Sequence, residues 1–328
     1  MRLSLHRFGL EPSRWPSALA GLALLAGLVP GAYEVRADVF GRSLNDELIN
    51  NEIAALHQGE KSGMAPLQMG RLWAQLASDY QDGQAFSKAE DAYNHALRLL
   101  QASSTERVDY AVVLDNLGSL YDMMGNYGAS ERCRKHALEL RVKLGDQLEI
   151  ARGRAHLAGV YLGMHKYKDA RREALEAYNA MVALHNQDTG NIVNALFTLS
   201  YAACRRDGCS ESLEYARKAW TLASGAFPAD SLPIGLAHMA LGYAEWKAEM
   251  KDGPDEEMRK GIEIVKARPR EGASYLLSSL EQYRTYLASV HREPDANVIA
   301  QQETQLQGPQ PTACANCTVS VYGLRGRP

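Results

Sequence analysis

Apolar residues return along most of this chain at intervals of three and four. In "LDNLGSLYDMM" and "ASERCRKHALEL" they fall on one face of a helix, and a short turn, "GNYG", stands between the two segments. The same alternation of helix, short turn and helix recurs with "MHKY" and "RDG" as turns. Two helices joined by so short a link must fold back antiparallel. A larger period lies over this one. Leu76, Leu117, Leu157, Leu199 and Leu241 stand 40 to 42 residues apart, each followed by a small residue: Ala77, Gly118, Ala158, Ser200 and Gly242. Further small residues keep step, at Ala89, Ser130, Ala170 and Ser212, and at Ala96, Ala137, Ala177, Ala219 and Gly261. Pro254 takes the first of these places in the fifth unit, where the opening turn of a helix tolerates it.

Small residues at fixed heights let two helix backbones approach, while leucine and tyrosine fill the grooves beside them. One hairpin encloses too little interior to be stable alone, and stacking the next copy covers its open face. The pattern therefore predicts an all-α fold, an α-solenoid of stacked antiparallel helix hairpins.

Around that array the chain changes character. Residues 1–37 carry Arg2, Arg7 and Arg14 before the apolar run "ALAGLALLAGLV", then Val35-Arg36-Ala37, the layout of a secretory signal peptide cleaved near Ala37. A membrane anchor is the other reading, but this run is short for a bilayer about 30 Å thick. Export to the periplasm or the extracellular space is expected, with no integral membrane segment after cleavage. Residues 38–66 hold "SLNDELINNEIAALHQ", read as a helix capped by Ser43 that covers the N-terminal edge. Residues 67–306 hold five repeats and two closing helices. A sixth unit near Tyr283 has Arg284 at the small position and reads as a terminal cap. Residues 307–328 form a linker and a tail with Cys314 and Cys317 in "CANC", before "TVSVYGL". Three readings stay open for the tail: a disordered end with a local disulfide, a segment that docks on the array or a partner's sheet, or a thiol or metal site.

Composition adds exclusions. The 328 residues carry a net charge of −3, which becomes −5 once the four basic and two acidic residues of 1–37 are removed, so no basic footprint marks nucleic acid. A single C-x-x-C supplies two of the four ligands of a closed zinc site, and no H-E-x-x-H, G-x-S-x-G or phosphate loop is present. No catalytic residue, metal ligand or cofactor is assigned. Cys204 and Cys209 flank the fourth turn and form a candidate disulfide, as do Cys314 and Cys317; Cys133 is left over as a buried helical residue.

With Trp73, Leu76, Ala77, Tyr80, Ala89, Tyr93 and Ala96 at their places, the first unit resembles the tetratricopeptide repeat. The interval and junctions such as "GAFPADSLPIGLA" are similar to the 42-residue variant of kinesin light chains. That resemblance implies a right-handed superhelix whose first helices line a concave groove. The groove places are Asp115, Asn116, Ser119, Asp122 and Met123 in the second unit. In the fourth they are Phe197, Thr198, Tyr201, Cys204 and Arg205, and in the fifth Met239, Ala240, Tyr243, Trp246 and Lys247. Family members that clamp a peptide's terminal carboxylate need a lysine two places before the marker leucine. Ala74, Asp115, Ala155, Phe197 and Met239 stand there, so that clamp is missing. Asn116, Phe197, Tyr201, Tyr243 and Trp246 are the candidate partner-binding residues, with packing between helices as the other role open to Phe197 and Trp246. The function implied is a scaffold that binds another protein or an extended peptide. The alternative is a thiol or metal protein whose repeats position the C-terminal cysteines.

Overall fold

The computed structural model describes residues 30–101, 107–184, 188–203, 209–268 and 273–307. All regular elements among them are helices: α1 (Pro30–Ser62), α2 (Pro66–Asp82), α3 (Phe86–Leu100), α4 (Arg107–Met123), α5 (Tyr127–Leu144), α6 (Gln147–Gly163), α7 (Tyr167–Ala183), α8 (Thr189–Ala203), α9 (Ser210–Ala226), α10 (Leu232–Lys247), α11 (Pro254–Lys266), α12 (Ala273–Ser289) and α13 (Glu293–Gln307). The chain divides into Met1–Glu47 and Leu48–Pro328. Of the first, only the opening of α1 is described. In the second, each even-numbered helix packs against the next odd one, from α2 with α3 to α12 with α13, and successive hairpins stack in chain order. The fold is an all-α helical-repeat solenoid.

Its core is the pattern read from the sequence. Leu76, Leu117, Leu157 and Leu199 are buried, and so is every small residue at the three recurring places. Leu241 departs from this and is half-buried. The small places act within each hairpin. Ser200 Oγ donates to the Ser212 carbonyl at 3.1 Å, while Ser212 Oγ donates to the Ser200 carbonyl at 2.8 Å. A Cβ on Gly242 would stand 3.0 Å from the Pro254 carbonyl oxygen, and one on Gly261 would stand 2.8 Å from that of Gly235. Backbones this close admit only the smallest side chains, which is why size recurs there more faithfully than chemistry.

In the five hairpins whose turns are described, the backbone closes the turn in one way. Eight residues after the marker, Gln84, Gly125, His165, Glu249 and His291 all take the left-handed conformation, with φ between 57° and 70°. In each turn the following N–H bonds six-to-one back onto the first helix: Ala85 to Tyr80, Asn126 to Tyr121, Lys166 to Tyr161, Met250 to Glu245 and Arg292 to Leu287. This is the Schellman ending, and glycine suits its left-handed residue best. Only one of the five is glycine. Replacing Gln84 or Glu249 with glycine removes the left-handed penalty of roughly 1–2 kcal/mol against an unfolded-state cost of roughly 0.4–1 kcal/mol. Each change is expected to raise stability by about 0.5 kcal/mol, read as a higher urea midpoint at unchanged slope.

At the ends the structure amends the expectation. Ser43 does not cap a helix: α1 already runs from Pro30, so Ser43 and Ala37 lie inside it. Between Gly31 and Ser43 there is no proline or turn cluster to stop a helix, and Pro30 at its opening loses no hydrogen bond. The terminal cap is itself a sixth hairpin in phase with the rest, with His291 in the left-handed turn and Ala296 buried. Its two remaining small places hold Arg284 and Glu303, which pair with each other at 3.0 Å. The C-terminal segment with Cys314 and Cys317 lies outside the described residues.

Candidate functional site: the face of the first helices

Even-numbered helices α4, α8 and α10 present the groove places, and these divide into two chemically different stretches. In the second repeat, Asp115 is 7% exposed although it was expected to line an open wall. Two arginines of α5 account for this. Arg141 Nη1 donates to Asp115 Oδ2, and Arg134 Nη2 donates to Asp122 Oδ2 at 2.6 Å. Both arginines are buried. Each passes a glycine on the way: a Cβ on Gly118 would meet Arg134 Cγ at 2.9 Å, and one on Gly153 would meet Arg141 Nη1 at 3.2 Å. Burial opposes ionisation of Asp115, but His156, Arg141 and Arg134 outweigh it and hold the carboxyl below its ordinary range. Arg141 Nε continues to Glu149 at 3.3 Å, Glu149 to Arg152 at 2.6 Å, and Arg152 to Asp188 at 2.8 Å. Asp188 in turn accepts the Asn191 N–H at the opening of α8. A continuous chain of charges thus joins three consecutive repeats. The arginines were missing from the sequence reading because they come from second helices; the glycines they cross were the available signal.

Beside this chain the face stays open. Asn116 and Ser119 are half-buried with no hydrogen bond among the described residues to their side chains. A Cβ on Gly159, the equivalent of Ser119 in the third repeat, would meet nothing within 4 Å. Two small polar residues and a glycine with open space thus follow one another across the second and third repeats.

The aromatic stretch is filled by the protein itself. Phe197 is half-buried and packs into two core clusters, around Leu196 and around Ile234. Thr198, Met239 and Ala240 are buried. Tyr201 lies 4.9 Å from Tyr243 with the rings tilted by 41°, Tyr243 lies 6.0 Å from Trp246, and Trp246 lies 5.9 Å from Tyr286 of α12. Tyr201 also donates its hydroxyl hydrogen to Gln282 of α12 at 3.2 Å. Lys247 Nζ sits 3.6 Å from the Trp246 ring centre, which places a cation on the indole face. Of the five candidate residues, the structure brings Tyr201, Tyr243 and Trp246 together, sets Phe197 among core side chains and leaves Asn116 apart on the open stretch. Cys204 and Arg205 lie outside the described residues.

Little here suggests chemistry. Burial pushes the free Cys133 thiol up to about 11, so it stays protonated and is a poor nucleophile at neutral pH. Cys209 is disulfide-bonded, to a partner outside the described residues. Among the described residues no cluster of three His, Cys, Asp or Glu side chains could hold a metal ion. No helix among them is long and apolar enough to cross a membrane.

Hairpins in constant phase, with small residues at three fixed heights and an in-register turn, define a helical-repeat protein. More narrowly, residues 68–142 match the tetratricopeptide repeat family, and the later hairpins keep the same phase. No curated protein matches the chain. Solved structures do. The apo form of RapI is 13% identical, with a TM-score of 0.63 over 81% of this chain and 70% of that one. BtubC (BKLC) from P. vanneervenii is 15% identical, with a TM-score of 0.56 over 68% and 92%. The Rap conjugation gene regulator of plasmid pLS20, in complex with the Phr* peptide, is 16% identical, with a TM-score of 0.52 over 77% and 73%. At these identities the likeness is one of fold.

Proposed function

We propose that this protein is an exported, non-catalytic scaffold that binds an extended peptide or a segment of another protein. The binding surface is the open stretch of the first helices in the second and third repeats. The observation that carries this is the row Asn116, Ser119 and Gly159. It offers an amide and a hydroxyl with no hydrogen bond among the described residues, then a bare backbone, on a face braced by arginine–aspartate pairs. An extended peptide needs such a surface, polar groups for its main chain and room for its side chains. A similar fold is known with a peptide bound, in the pLS20 regulator. The aromatic stretch serves the scaffold instead, locking α12 to α8 and α10. Export rests on the N-terminal sequence alone.

Gly159→Arg tests the site. Its Cβ has open space, and replacing a mid-helix glycine is expected to leave the melting temperature equal or slightly higher. The new side chain should abolish capture of the natural partner from an envelope extract, identified first by mass spectrometry on the wild type. Capture unchanged by Gly159→Arg, with the fold intact, would place the binding surface elsewhere.

A further inference from the structure

The third place after each marker leucine, or after Tyr283 in the sixth hairpin, is apolar and buried in five of the six hairpins: Leu120, Val160, Ala202, Ala244 and Tyr286. In the first hairpin it is Asp79, also buried, with 7% of its surface exposed. Asp79 looks not onto another repeat but onto α1. There Glu52 lies near enough to feel the Asp79 charge, and its Oε2 is buried with no hydrogen-bond partner among the described residues. The only hydrogen bond to the Asp79 carboxyl among the described residues comes from the neutral Gln75 amide, at 3.3 Å. No described cation pairs with either carboxyl. The surroundings are apolar: Leu56, Met69 and Leu76, with Ile49, Ile53, Trp73 and Tyr80 against them. Arg71 holds Asp109, Lys88 lies over the Tyr80 ring, and His95 stacks on Trp73. Asp82 at the end of α2 is exposed, as are His57, Glu60 and Lys61 on α1.

Two facing carboxyls in an apolar seam without a cation cannot both ionise cheaply. Burial, and for Glu52 the Asp79 charge, raise both above the ordinary carboxylate range. The end of α1 beyond them is a natural pivot. Gly59 rests on the Met69 sulfur, where a Cβ would stand at 2.6 Å, and Gly63 turns the chain into α2 with φ of 67°. We infer that α1 from Leu48 to Ser62 is a pH-gated latch on the first repeat, closed while the Glu52–Asp79 pair keeps a proton and loosened when both carboxyls ionise. The direction follows from linkage. The docked state binds the proton more tightly than the undocked one, so docking is complete at low pH and weakens as pH rises through the raised values. Opening would uncover Met69, Trp73 and Leu76, the apolar edge of the array.

The test is hydrogen exchange on the full chain, expressed as protection factors from about pH 5 to about pH 8. In the wild type, amides of 48–62 should lose about tenfold in protection across that range for each unit by which docking raises the pair. Amides of α10 report any change in the whole fold. Glu52→Gln should leave only a reduced loss, the part due to Asp79, whose carboxyl is raised by burial itself. Glu52→Lys, whose ammonium can pair with Asp79, should reverse the trend, with protection lowest at the acid end. The proposal is overturned if wild-type α1 tracks α10 at every pH, or if Glu52→Gln retains the full wild-type loss.

Discussion

Arg141→Met is expected to destabilise the protein by about 3–5 kcal/mol, because it takes from the buried Asp115 the guanidinium that is hydrogen-bonded to it. Asp115 is 7% exposed and Arg141 6%, so water cannot replace the lost partner without opening the hairpin. The substitution also cuts the link to Glu149. Adding Asp115→Leu to Arg141→Met should recover most of the loss, since an apolar pair of similar volume carries no desolvation penalty. The effect has a pH signature. Asp115 is held below the ordinary carboxylate range, so its contribution is present above the unfolded-state pKa and fades as pH falls through the depressed folded value. The gap between wild type and Arg141→Met should therefore narrow in acid, where Asp115 takes up a proton in both. Urea titrations at neutral and acid pH measure this directly; a gap that widens in acid would exclude the ion pair as its source.

The second large effect concerns the aromatic chain. Tyr201→Ala together with Tyr243→Ala should cost about 3–5 kcal/mol, the range found when large side chains are removed from packed sites. These rings lie 4.9 Å apart, and Tyr201 ties α8 to Gln282, 81 residues away in sequence. Loss of that tie should loosen α12 and α13 first, so exchange protection in 273–307 should fall further than in α4 or α6. A melting temperature within about a degree of wild type would return both tyrosines to the open surface and restore them as candidates for partner contact.

The repeat was legible because it is written in side-chain size. Ala77, Gly118, Ala158, Ser200 and Gly242 share little chemistry, but each permits the same backbone approach. The Schellman turns were not legible, since Gln84, His165 and Glu249 are residue types that give no hint of left-handed backbone. The groove was half legible. Asn116 lies where the phase put it, whereas Asp115 occupies an equivalent place and is buried. Its exposure is decided by Arg141 of another helix, which a pattern along one helix does not contain. Tyr201, Tyr243 and Trp246 were placed correctly on their helices; what covers them is α12, and its approach is a property of the stack. Ser43 misled because a good capping residue does not start a helix where the preceding chain can already continue one.

The charges running from Asp115 through Arg141, Glu149 and Arg152 to Asp188 have a mechanical consequence. In a repeat protein, each unit ordinarily answers only to its neighbours. Here the same few guanidinium groups span three of them, so hairpins two to four should strain as one stiff girder, and under tension the molecule should yield at its flanks before its middle.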